Sequence, residues 1–153
     1  MGKILVVDDE DDVRLSLERR LTREGHTAQS AGSQAAAIEI IGATDVPFDV
    51  VLTDMLMESP NSGVEVLKAA LARDVFTEVV ILTAYGNVAN AVECMKMGAF
   101  DYVEKNIPGV DVYELICIKI EQALDRRRSS LSTVRKLEQF ARTQDKRSEA
   151  PLG

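Results

Sequence analysis

The chain has 153 residues, 46% of them hydrophobic and 28% charged. That is enough apolar content for one buried core, and no apolar run approaches the roughly 18 residues of a membrane span. The net charge of -7 is uneven: residues 1–125 hold 10 Lys and Arg against 22 Asp and Glu, a net of -12, and residues 126–153 hold 8 against 3, a net of +5. An acidic body does not suit nucleic-acid binding, and the short basic tail carries no recognisable reading helix. The opening MGKILVVDDE is too short in apolar residues and too acidic for a signal peptide. Cys94 and Cys117 lack metal-ligand spacing, so buried free thiols in a reducing cytoplasm are expected.

Along the chain, strands are expected at KILVVD (3–8), HTAQSA (26–31), FDVVLTD (48–54), EVVILTA (78–84) and FDYVEK (100–105). Three of them are nearly continuous in Val, Ile and Leu, the pattern of parallel strands covered on both faces. Helical periodicity fills the intervals. Residues 11–24 place Val13, Leu17 and Leu21 on one face and stop at Gly25; 33–42 are alanine-rich and end at Gly42. Residues 63–73 align Val64, Leu67 and Leu71, 87–98 open on Asn87 as a cap and stop at Gly98, and 111–124 are apolar on one side. This βαβαβαβαβα order predicts an α/β fold: a flavodoxin-like, doubly wound, five-stranded parallel sheet of order 2-1-3-4-5 with five helices. The first domain spans 1–125. Residues 126–153 form a basic helical linker or disordered tail, with Leu131, Val134, Leu137 and Ala141 at helical spacing and disorder expected from about Gln144.

Ligands of such sheets bind at the carboxyl ends of the strands. The polar residues there are Asp8 and Asp9, Asp54, Thr83 followed by the small Ala84, and Lys105. Three clustered carboxylates repel one another by about 4 kcal/mol per pair at 4 Å and an effective dielectric near 20. A hard divalent cation such as Mg²⁺ offsets that charge. With a lysine and a hydroxyl beside them, these are the parts of a phosphoryl-transfer site, in which Asp54 is the nucleophile. Taken singly, each residue has a plainer reading: Asp8 and Asp9 as helix caps, Asp54 as a loop-starting Asp, Thr83 as a strand end, Lys105 as a solvated lysine. His26, the one histidine, reads as structural, and Met55 and Met57 as packing.

The stretches ILVVDDEDDVR (4–14), DVVLTDMLM (49–57), VVILTAYGNVANAV (79–92) and KMGAFDYVEK (96–105) resemble the receiver domain of bacterial two-component response regulators, in order and spacing, over about residues 1–125. The wording is most similar to receivers of transcriptional regulators. The resemblance implies that Asp54 accepts a phosphoryl group from a sensor histidine kinase or phosphotransfer protein. It implies that Asp8, Asp9, Asp54 and the backbone carbonyl of Leu56 hold Mg²⁺, and that Thr83 and Lys105 bind the phosphoryl oxygens. Tyr102 is then the switch aromatic. The responding surface is the fourth helix, fifth strand and fifth helix, roughly 86–122, which controls an output domain or downstream protein and allows a homodimer. The resemblance implies no enzyme beyond self-phosphorylation and self-dephosphorylation of Asp54. Leu56, Glu58, Ala84 and Tyr85 are the expected site-modulating positions.

The sequence departs from the family pattern twice. Asn106 stands where the family has proline after the lysine, so a trans Lys105–Asn106 bond is expected. In DMLMESPNSG, Pro60 and Gly63 come late, so the loop is read as one residue longer, with Glu58 adding negative charge near the site. That loop predicts altered metal geometry or phosphoryl lifetime. Two other functions compete. An aspartyl phosphatase would carry a second Asp where Leu56 stands. A degenerate receiver acting as a constitutive dimerisation module would not bind Mg²⁺.

Overall fold

The computed structural model describes residues 1–84 and 88–149. The strands are β1 (Lys3–Val7), β2 (Thr27–Ala31), β3 (Val50–Asp54), β4 (Glu78–Thr83) and β5 (Asp101–Glu104). The helices are α1 (Asp11–Arg23), α2 (Gln34–Ala43), α3 (Ser62–Arg73), α4 (Val88–Lys96) and α5 (Val112–Glu149). All strands pair in parallel, in the order β2-β1-β3-β4-β5, as the alternation of elements predicts.

The apolar strands are continuous because the sheet is covered twice. Leu5, Val7, Val51, Val79 and Ile81 pack with Ala37, Ile41, Val66, Leu67, Ala70 and Cys94 of α2, α3 and α4. The alternate residues Ile4, Val6, Val50, Leu52, Val80 and Leu82 pack with Leu17 and Leu21 of α1 and Ile116, Ile120 and Leu124 of α5. Each large side chain buried this way contributes about 1.5–3 kcal/mol of transfer free energy. Gly25 and Gly98 end their helices at positive φ, 94° and 109°, where a side chain would be strained. Both cysteines are free and buried, and burial pushes the Cys117 thiol up to about 11. No helix among the described residues is long and apolar enough to cross a membrane.

Two local expectations change, and a third falls outside the described residues. α2 runs one residue past Gly42, to Ala43, and Asn87, expected to cap α4, lies outside the described residues. α5 crosses the boundary after Asp125 without a break and remains helical past Gln144 to Glu149. The arginines at that boundary are used by the body. Arg127 is 7% exposed. Its Nε donates to Asp49 Oδ1 at 2.7 Å, and its Nη2 to Asp74 Oδ2 at 3.1 Å. Asp49 Oδ2 accepts from the Lys3 amide at 2.8 Å, so one guanidinium ties α5 to the entrances of β1 and β3 and to the end of α3. Arg126 lies over the Phe100 ring and 3.7 Å from Glu78. His26 is structural, as expected. Its Nδ1 accepts from the Gly2 amide at 3.1 Å, which leaves the proton on Nε2 to donate to Glu121 at 2.9 Å.

Two stability effects follow. Arg127→Ala leaves Asp49 and Asp74 without their cation and lowers unfolding free energy by about 1–3 kcal/mol in urea titration, discounted for the partial exposure of both partners. Glu78 is different: burial raises its pKa more than Arg126 and Arg127 lower it. Its ionised form therefore costs stability once pH rises above the unfolded carboxyl value. Glu78→Gln raises the unfolding midpoint at pH 7, and the gain disappears on acidification below that value.

Candidate functional site

The register of the sheet builds the site. Val7 pairs with Thr53, so Asp8 and Asp54, the next residues, emerge side by side. Asp54 pairs with Leu82 and Thr83 with Glu104, which brings Thr83 and Lys105 to the same edge; the Lys105 amide donates to the Thr83 carbonyl at 2.8 Å. In the alternation of side chains, Asp8, Asp54 and Lys105 continue the face covered by α1 and α5. Thr83 continues the face covered by α2, α3 and α4, where Tyr102, the register partner of Ile81, also packs.

Lys105 is the centre of the crevice. Its Nζ stands 2.8 Å from Asp8 Oδ2, 3.0 Å from Asp54 Oδ2 and 3.7 Å from Glu10 Oε1. Carboxylate oxygens of Asp8, Asp9 and Asp54 lie within 4.8 Å of one another, the only such acidic group among the described residues. Asp8 is fully buried, Asp54 nearly so, and Asp9 exposed. Burial raises the Asp54 carboxyl above its ordinary pKa; Lys105 opposes that rise and Asp8 adds to it. Burial also pushes the Lys105 ammonium downward, but Asp8 and Asp54 together reverse this, and its net shift is upward.

Asp8 does not cap α1. The N-cap is Glu10, without a side-chain bond, and Asp8 Oδ1 accepts from the Glu10 amide at 2.9 Å as a turn of its own. Asp8 Oδ2 is buried and has the Lys105 ion pair but no aligned hydrogen bond. A buried carboxylate oxygen with an open lone pair, set among further hard oxygens, fits a divalent cation. Lys105 alone leaves the three carboxylates undercompensated, and a divalent ion supplies the missing charge.

The remaining expected positions divide. Thr83 is fully buried, and its hydroxyl makes a long, 3.4 Å contact to the Ala84 carbonyl. Leu56 is 50% exposed, and its backbone amide favours the ionised form of Asp54. Ala84 is exposed at the rim, and Tyr85 lies outside the described residues. No cis peptide occurs among the described residues, so Lys105–Asn106 is trans, as expected. Glu58 corrects its expectation. Both of its carboxylate oxygens accept from the Gln34 amide at 3.0 Å, at the start of α2. That amide has no partner inside its own helix and sits at the positive end of the helix dipole, so it draws the carboxylate. Glu58 adds no charge to the acidic group, and the altered metal geometry or phosphoryl lifetime expected from it loses that basis. The β3–α3 loop is tied by Ser59 and Ser62: the Ser59 amide donates to Ser62 Oγ at 3.1 Å, and the Asn61 amide to Ser59 Oγ at 3.1 Å. Gly63 lies against the end of β3, where a Cβ would come within 2.8 Å of Met55 Cα and 3.0 Å of the Asp54 carbonyl.

Sequence reasoning missed Glu10 and Arg14. Arg14 Nη1 donates to the Asp8 carbonyl at 2.9 Å. Both residues lie in the quoted opening stretch, but nothing in their spacing reveals a partner around the turn.

Comparisons with known proteins agree with this geometry. The family profile described as "Response regulator receiver domain" matches residues 4–117. The chain is 37% identical over 105 residues to the regulatory protein AtoC of Escherichia coli, covering 69% of this chain and 22% of that protein. It is 36% identical over 111 residues to the transcriptional regulatory protein FixJ of Rhizobium meliloti, covering 72% and 53%. Among solved structures, a response regulator receiver domain from Clostridium thermocellum matches with a TM-score of 0.73 at 30% identity, covering 84% of this chain and 98% of that one. NtrX from Brucella abortus matches with a TM-score of 0.74 at 29% identity, covering 87% and 29%. The chain thus spans between a fifth and about half of these curated relatives.

Magnesium titration during thermal unfolding checks the metal fit. The midpoint rises with Mg²⁺ concentration in the wild type, as ligand binding to the native state requires. Asp9→Asn, an exposed change that keeps the fold, removes most of that rise and raises the midpoint measured in chelator, because one of three repelling charges is gone.

Proposed function

The chain belongs to the response regulator receiver family, and on that premise we propose that Asp54 accepts a phosphoryl group from a phosphohistidine on a sensor histidine kinase or phosphotransfer protein. One observation carries the reading: the Lys105 ammonium bridges Asp8 and Asp54 at 2.8 and 3.0 Å inside the acidic group. A carboxylate nucleophile, a mobile cation and two further carboxylates within reach are what in-line phosphoryl transfer needs.

Asp8, Asp9, Asp54 and the Leu56 carbonyl hold Mg²⁺, which when bound neutralises charge on the transferred group. An Asp54 carboxylate oxygen attacks phosphorus as the bond to the donor imidazole nitrogen breaks; with the donor ring protonated on its other nitrogen, this leaves an acyl phosphate on Asp54 and a neutral imidazole on the donor. Lys105 then exchanges its carboxylate partners for a phosphoryl oxygen, and the Thr83 hydroxyl donates to another. The small Ala84 leaves room for that approach. Leu56 and Tyr85 limit the access of water, and with it self-dephosphorylation; the competing reading is that they only fill space.

Thr83 and Tyr102 lie on the face that α4 covers. Movement of Thr83 toward the phosphoryl group vacates space into which Tyr102 turns, and the α4-β5-α5 surface changes. This is a two-state element biased by a new charge near -2. A swing from 1:99 to 99:1 takes about 5.5 kcal/mol of differential stabilisation. The responding partner is an output domain or a downstream protein in the cytoplasm, or a second copy meeting the same face. The intact acidic group and its lysine favour this reading over a degenerate dimerisation module.

Incubation with acetyl phosphate and Mg²⁺ tests it. The wild type gains the mass of one phosphoryl group, labile to hydroxide, and beryllofluoride perturbs the amide spectrum of residues 83–105. Asp54→Asn shows neither effect, and Lys105→Ala slows the gain at least tenfold. A folded wild type that gives no labelling and no beryllofluoride response sinks the proposal.

A further inference from the structure

We propose that Arg14 is a positioning residue for the metal-binding carboxylates, and that residue 32 is glycine because Arg14 occupies its side-chain space. The inference rests on the reading of Asp8, Asp9 and Asp54 as a magnesium-binding set.

Asp8 is gripped at several of its atoms. Its amide donates to the Ala31 carbonyl at 3.2 Å, and its Oδ1 accepts from the Glu10 amide. Its carbonyl accepts from Arg14 Nη1 at 2.9 Å. The next residue, Asp9, is exposed, and no side chain among the described residues bonds its carboxylate. Its aim into the acidic group therefore comes from the backbone. The Asp8–Asp9 peptide is a rigid plane, so a donor fixed on its carbonyl oxygen fixes the direction in which Asp9 leaves it.

Arg14 is placed for that task. Its side chain is 16% exposed, wedged between the ends of β1 and β2. A Cβ on Gly32 would come within 3.0 Å of Nη1 and 3.4 Å of Cζ. Gly32 has no positive φ, so a side chain here would meet no backbone strain and would act by crowding the guanidinium. Nη2 pairs with Asp11 at 2.7 Å, but Asp11 is 77% exposed, and such a pair adds little to stability. The bond to the Asp8 carbonyl is the contact that reaches the site. Lysine cannot replace it: one ammonium lacks the planar fork that spans the Asp8 carbonyl and Asp11 together.

Groups that hold a metal ligand from behind change affinity by about tenfold or more when removed. Magnesium titration by isothermal calorimetry, paired with thermal unfolding in chelator, reads the effect on the full chain. Arg14→Ala and Arg14→Lys are expected to weaken Mg²⁺ binding roughly tenfold, with unfolding midpoints near the wild type. Wild-type affinity in Arg14→Ala overturns the proposal. So does wild-type affinity in Arg14→Lys alone, which reduces Arg14 to a counter-charge. Gly32→Ala keeps every charge and crowds the guanidinium; weaker binding at unchanged stability supports the proposal, and unchanged binding counts against it. If the wild type itself binds no Mg²⁺, the metal-site reading falls first and the positioning role with it.

Discussion

One ammonium group holds the strand-end crevice together. Lys105 meets Asp8 and Asp54 in a place where burial opposes the charge on the lysine and on Asp54. Each partner makes the other tolerable: the lysine offsets carboxylate repulsion, and the carboxylates hold the lysine protonated. The balance is incomplete, because Asp9 adds a third negative charge and Asp8 Oδ2 lacks an aligned donor. A crevice of this kind is stable enough to exist and unsatisfied enough to take a divalent cation and an anionic group. The geometry depends on register, since a slip of one residue in β1 or β3 would turn Asp8 or Asp54 to the opposite face of the sheet.

The loops around the crevice are fixed by residues whose composition suggests exposure. Glu58 closes the start of α2, Ser59 and Ser62 tie the β3–α3 loop, and Arg14 fills the corner between β1 and β2. At the opposite edge Arg127 joins α5 to Asp49 and Asp74. α5 therefore leaves the body in a direction set by a buried guanidinium held between two partly exposed aspartates. Its later turns, with Leu137 and Phe140 more than 60% exposed, extend from a rigid base.

The polar positions divide by what a sequence can encode. Asp8, Asp54, Thr83 and Lys105 follow from strand ends alone, because parallel topology delivers every carboxyl end to one edge. Glu58 and Arg14 do not follow. Glu58 is a charged residue in a loop and Arg14 one in the first turn of α1, and their partners lie 24 and 6 residues away, at separations that no periodicity marks. Arg127 sits in a run of three arginines that reads as solvated until α5 is seen to bring the middle one against two aspartates.

Alone, then, the sequence determined the element order, the double-covered sheet and the residues at its functional edge. Those depend on hydrophobic period and chain connectivity, which are local properties. Tertiary structure decided that Lys105 bridges Asp8 and Asp54, that Glu58 turns to α2, that Gly63 takes the close approach beneath Asp54, and that α5 is anchored by Arg127. Those outcomes depend on distances of a few ångströms between side chains remote in sequence, and on how burial sets their charge; pattern carries neither.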